Sequence, residues 1–196
     1  MKSLVLAVAF TLLWATDAAA ADAGMPMEGA SAKSTSMQPG LKVGDKAPAF
    51  TLKDAAGNDV SLAGLVAKGK VALVFYRSAD WCPFCIGQLK ELEANLAALK
   101  QAGVQVVGMS YDSVEVLARS APKHGLTFTL LSDEGSKTID AFGIRNQEAK
   151  GKGMGVPHPA IFVLDQKGII RAKLMHEGYK TRPTSADIIA AAKGIM

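Results

Sequence analysis

Apolar residues along this chain alternate between short unbroken runs and stretches that repeat every three to four positions. Val71 to Tyr76 is a continuous apolar run of strand length, the pattern of a strand covered on both faces, and Val104 to Met109 reads as a second apolar strand. Between them Cys85, Leu89, Leu92, Leu96 and Leu99 recur at steps of four and three, with Lys90, Glu91 and Lys100 interspersed, which predicts one amphipathic helix ending at Gly103. Ahead of these, Phe50 to Leu52 and Val60 to Leu62 flank Gly57-Asn58 and read as a small hairpin. Asp112, with Glu115 three residues on, predicts the cap of a helix running to about His124, followed by a strand over Thr127 to Leu131. Ala160 to Leu164 and Ile169 to Leu174, joined by Asp165-Gln166-Lys167-Gly168, predict an antiparallel hairpin. A last helix starts at Thr184, with Asp187 completing a capping box, and ends near Gly194. Strand-helix-strand-helix followed by hairpin-helix is an α/β architecture with a mixed central sheet flanked by helices.

The N-terminal stretch follows a different pattern. Lys2 precedes an apolar run from Leu4 to Trp14, and small residues fill Ala15 to Ala23. That run is too short to span a bilayer, and A-x-A sites end at Ala20 and Ala23. Residues 1–20 therefore read as a secretory signal peptide cleaved after Ala20 or Ala23, which implies a periplasmic or secreted protein with no membrane insertion after cleavage. Residues 24–40 are rich in Gly, Ser, Met, Pro and Ala and read as a flexible linker, with Met25, Met27 and Met37 scattered through it. Residues 41–196 form the domain.

Composition adds limits. A chain of 196 residues that is 49% hydrophobic suits one domain beyond the leader. The net charge of +4 is spread along the sequence without a basic run, so no nucleic-acid partner is expected. Cys82 and Cys85 are the only cysteines. A bridge between them closes too short a loop to serve as a structural staple, and two thiols are too few for a closed zinc site, so neither a metal nor another cofactor is expected.

Redox chemistry accounts for the pair better. Thiol-disulfide exchange needs one sulfur held as thiolate and a second within reach. A helix N-terminus supplies the first through its unpaired amides, and Cys85, one turn on, supplies the second. Pro83 fits the first helical position. Trp81-Cys82-Pro83-Phe84-Cys85 after an apolar strand resembles the redox site of the thioredoxin superfamily. Val43 to Phe50 and Phe162-Val163-Leu164-Asp165 are similar to segments of its redoxin branch, which includes the alkyl hydroperoxide reductase and thiol-specific antioxidant proteins (AhpC/TSA). The resemblance implies a thioredoxin-like fold, Cys82 as the nucleophile, Cys85 as the resolving thiol, and a cis-proline facing them; nearer the helix start, Cys82 is expected to be the more exposed of the two. Pro159 is the candidate for that proline and Pro157 the alternative. It also implies that His158 stands beside the thiols and tunes their ionisation.

Departures from the pattern bear on activity. Tyr76 stands where thioredoxins bury an acid, and Phe75 and Ala79 stand where the peroxiredoxin Pro-x-x-x-Thr-x-x-Cys loop carries Pro and Thr. Arg77, Ser78 and Arg145 are the available substitutes. The sequence reading is therefore a periplasmic thiol-disulfide oxidoreductase, with a thiol-dependent peroxidase as the alternative. A copper carrier using Cys82, Cys85 and His158 is a more distant third. The implied partners are thiols and disulfides of proteins or small molecules, peroxides for the alternative, and a thiol electron donor or acceptor.

Overall fold

A computed structural model describes residues 38–195. The expectations of a signal peptide over residues 1–20 and of a linker from residue 24, with its three methionines, fall up to Met37 outside the described residues. The elements run β1 (Thr51–Asp54), β2 (Asp59–Ser61), α1 (Leu62–Val66), β3 (Lys70–Phe75), α2 (Pro83–Ala94), α3 (Leu96–Gln101), β4 (Val104–Ser110), α4 (Val114–His124), β5 (Thr129–Ser132), α5 (Lys137–Ala141), β6 (Ala160–Leu164), β7 (Ile170–Leu174) and α6 (Ser185–Ala192). The strands form a seven-stranded mixed sheet in the order β2-β1-β5-β4-β3-β6-β7. β3, β4 and β5 are parallel, while β6 runs antiparallel to β3 and β7 to β6.

The apolar run in β3 is buried on both faces because its side chains alternate between two cores. Val71, Leu73 and Phe75 point to one that α1 and α5 close with Leu62, Leu65 and Ile139. Ala72 and Val74 point to the other, closed by Leu92 of α2, Leu99 of α3 and Ile188 of α6. Tyr76 continues the second face into a smaller cluster with both cysteines, Leu89, Leu117 and Leu130.

Several boundaries differ from the sequence reading, each for a local reason. Leu62 starts α1 instead of ending a strand, because the Ser61 side chain accepts the Gly64 amide as an N-cap. The single helix expected from Cys85 to Gly103 is broken at Asn95, whose side-chain amide donates to the Glu91 carbonyl at 2.8 Å and competes with the helical ladder. The cap of α4 is Ser113, not Asp112. α5 and the 3-10 turn at Gly151–Gly153 were not foreseen, since each is too short to show a period. The last three residues assigned to the linker are tied to the domain by hydrogen bonds: Gln38 Nε2 donates to the Met175 carbonyl, and Lys173 Nζ donates to the Pro39 carbonyl at 2.7 Å.

Candidate active site

The site lies where β3 and β4, running in parallel, end at the same edge of the sheet. Cys82 is the N-cap of α2 and Pro83 its first residue. The Cys82 carbonyl accepts from the amides of Cys85 and Ile86, both at 3.0 Å, so Cys85 sits directly over Cys82 across the first turn. Their Cα atoms are 5.3 Å apart and the sulfurs are bonded as a disulfide. Cys82 is 1% exposed and Cys85 0%, so both sulfurs are covered in this oxidised state. The loop before the pair and a segment after β7 cover it.

Asp112 anchors that loop. Its carboxylate is buried and accepts the Ala79 amide at 2.8 Å and the Ser110 hydroxyl at 2.9 Å. Burial pushes the Asp112 carboxyl above the ordinary range, against the hydrogen bonds from Ala79, Ser78 and Ser110 that favour its charged form. Ser78 turns the chain by accepting the Asp80 amide at 3.0 Å. Trp81 is fixed by its indole N–H on Tyr111 Oη at 3.0 Å, and that hydroxyl donates to the Lys152 carbonyl. The Arg77 guanidinium lies 4.8 Å from the Trp81 ring centre and 4.6 Å from that of Tyr179. Tyr76 is fully buried and its hydroxyl, beside Ser110 and Asp112, makes no hydrogen bond of ordinary geometry. Burial pushes that phenol far up, so Tyr76 does not act as the proton-accepting acid of thioredoxins at neutral pH.

The segment between β7 and α6 closes the other side. Arg182 Nη2 donates to Cys85 Sγ at 3.5 Å, Gln88 Nε2 to the Pro183 carbonyl at 3.0 Å, and Ser185 Oγ to Glu91 at 2.6 Å. Tyr179 meets Phe84 edge-to-face at 5.8 Å.

Of the residues singled out in sequence, the structure gathers Cys82, Cys85, Trp81, Pro83, Phe84, Tyr76 and Arg77. Pro159 is buried and immediately precedes Ala160, which pairs with Phe75, so it lies at the same end of β3. Pro157 bridges to Arg145 farther back. His158 is a correction: its amide donates to the Ile144 carbonyl, it lines a cleft with Asp140, Arg145 and Glu148, and no hydrogen bond joins it to either sulfur. Arg145 is ion-paired to Asp140 and also donates to the Gly135 carbonyl. Among the described residues no group of three His, Cys, Asp or Glu comes close enough to hold a metal, so the copper reading lacks its third ligand. No helix among these residues is long and apolar enough to cross a membrane. Sequence reasoning missed Arg182, Tyr179, Tyr111 and the buried role of Asp112. Only Asp112 carried a signal, as a carboxylate directly after a buried strand.

A paired-cysteine helix start at the edge of a mixed sheet defines a thioredoxin-like thiol oxidoreductase. Residues 43–173 match the family model described as AhpC/TSA family. The chain belongs to the AhpC/TSA family. It is 40% identical over 131 residues to a putative peroxiredoxin of Mycobacterium tuberculosis, covering 66% of this chain and 82% of that one. It is 39% identical over 131 residues to peroxiredoxin Bcp of Escherichia coli K12, covering 66% and 83%. In structure it resembles peroxidoxin BcpB of M. tuberculosis, with a TM-score of 0.69 at 25% identity over 80% of this chain and 99% of that one.

Proposed function

We propose that the protein is a thiol-dependent peroxidase that cycles between a dithiol and the Cys82–Cys85 disulfide. The Cys82 thiolate, favoured by the amides at the start of α2, attacks one peroxide oxygen. An S–O bond forms, the O–O bond breaks, and the departing oxygen takes a proton to leave as water or an alcohol. Cys85 then displaces hydroxide from the Cys82 sulfenic acid to form the disulfide, and an external thiol donor reduces it. The observation that carries this reading is the bridged pair at the helix start, in a family whose similar members are named peroxiredoxins.

Disulfide exchange with a protein client is the second reading. It is favoured by the aromatic lip that Phe84 and Tyr179 expose beside the pair, at 40% and 44%, which suits a polypeptide better than a peroxide. Peroxide consumption with a thiol donor separates the two. Turnover at about 10⁴ per molar per second or faster, the low end of ordinary enzyme efficiency, supports the peroxidase. Slower turnover with intact reduction of protein disulfides transfers the assignment to exchange. Cys82→Ser should abolish both activities, while Cys85→Ser, given peroxide without a thiol donor, should stop after one turnover with a sulfenic acid on Cys82.

We propose further that the protein is exported to the periplasm or beyond the cell, on the leader pattern of residues 1–20. Mass spectrometry of the mature protein should find an N-terminus at Ala21 or Gly24, and an intact Met1 would overturn export by cleavage.

A further inference from the structure

Arg182 reaches the thiol pair from 97 residues away in sequence. Its Nη2 touches the Cys85 sulfur, while Nε and Nη1 are buried without a hydrogen-bond partner. Keeping unmatched donors and a cation there is costly as mere packing. The position is held on purpose: Gln88 and Glu91, on the same face of α2 as Cys85, grip Pro183 and Ser185 on either side. Cys85 itself is fully buried among Tyr76, Leu89, Leu117 and Leu130, surroundings that alone would keep a thiol protonated and inert. The other charged or titratable groups around the couple are Arg77 facing Arg182, the Tyr76 phenol, which burial keeps neutral, Asp112 beside Tyr76 with Asp80 near it, and Tyr111 and Lys152 against Trp81.

We propose that Arg182 holds Cys85 as a thiolate in the reduced protein and receives it as the leaving group when the disulfide is opened. The proposal rests on the reading that the Cys82–Cys85 couple cycles. In opening, a donor thiolate bonds to the Cys82 sulfur, the S–S bond breaks, and its electron pair goes to Cys85 Sγ beside the guanidinium. In closing, the Cys85 thiolate attacks the Cys82 sulfenic acid: the S–S bond forms, the S–O bond breaks, and hydroxide leaves, taking a solvent proton to become water. Opening ends, and closing begins, with negative charge on that same sulfur, so one cation steadies it in both directions. Burial and the facing Arg77 push the Arg182 guanidinium down to about 10, which still leaves it charged at neutral pH.

In Cys82→Ser protein Cys85 is the sole thiol, and ultraviolet titration of its thiolate involves neither peroxide nor client. Adding Arg182→Met should raise the apparent Cys85 pKa by about one unit or more, the effect of removing an adjacent opposite charge, while Arg182→Lys should give a smaller rise. In the intact couple, Arg182→Met should shift the equilibrium with glutathione toward the disulfide by about tenfold, or ~30 mV, because the reduced, charged form loses its partner. If Arg182→Met does not fold, as judged by circular dichroism, Arg182→Gln carries the same expectations. An unchanged Cys85 pKa in a folded variant overturns the proposal whatever the peroxide rate. A shifted pKa in a protein without peroxide turnover supports it and counts only against the peroxidase reading.

Discussion

At the residue scale, His158 illustrates how a titratable group near an active site can matter for stability instead of chemistry. Burial pushes its imidazole below the ordinary histidine value, and the nearby Glu148 only partly opposes this. The folded protein therefore holds His158 neutral at a pH where the unfolded chain has already taken up the proton. Stability should fall as pH drops below about 6.5, the unfolded value, and the slope should end once the folded value is passed. His158→Gln keeps the backbone bond to Ile144 and should flatten that part of the profile, measured as the urea midpoint against pH. An unchanged slope would locate the acid sensitivity elsewhere. The same residue marks where a sequence argument stops. Adjacency to Pro159 suggested a place beside the sulfurs, but chain neighbours at the start of a strand point in opposite directions. Pro159 lies at the end of β3 while His158 turns toward Asp140 and Glu148. Cys82 and Cys85 were legible because their spacing and the helix after them are local. Arg182 was not, since a lone cation in a loop has no period and its partner lies far off in sequence.

At the scale of elements, α2 does two things at once: its N-terminus carries the thiol pair and its side holds the segment that covers them. Glu91 is the strongest of those ties, accepting the Ser185 amide at 3.1 Å and its hydroxyl at 2.6 Å, as well as the Asn95 side chain at 3.1 Å. Glu91→Ala should cost roughly 1.5–3 kcal/mol, the range for hydrogen bonds to a charged group. It should also raise hydrogen exchange at the Ser185 amide and the backbone just before it more than in the core strands. Equal protection in variant and parent would mean that Arg182 and Gln88 hold the segment unaided. Elements with a long period were legible in outline: β3, β4, β6, β7, α4 and α6 fall where the apolar pattern put them, give or take a residue or two. What failed was punctuation. Ser61, Asn95 and Ser113 each end or start a helix through one side-chain hydrogen bond to the backbone, and such competition leaves the hydrophobic pattern unchanged.

For the described domain as a whole, the decisive question is whether the Cys82–Cys85 bridge is part of the scaffold or a reagent mounted on it. The scaffold is the sheet with its two cores, and the large buried side chains Leu73, Phe75, Phe142 and Phe162 belong to a core cluster that contains neither cysteine. The bridge joins residues with a sequence separation of only 3. In the chain-entropy model a loop that short stabilises by about 2 kcal/mol, against about 4.7 for one of a hundred residues. For a domain of this size each kcal/mol moves the melting temperature by about 2–4 °C. Reduction with excess thiol should therefore lower Tm by less than about 10 °C and leave the far-ultraviolet circular dichroism unchanged. The Cys82→Ser/Cys85→Ser protein should melt close to the reduced wild type. Reduction should, by contrast, open Cys82 to alkylation, since its sulfur is then no longer bonded to Cys85. A collapse of the fold on reduction, or an equal collapse in the double serine variant, would make the bridge structural and remove the basis for either redox reading. A small shift with both sulfurs newly reactive is what a couple built to open and close on a rigid sheet requires.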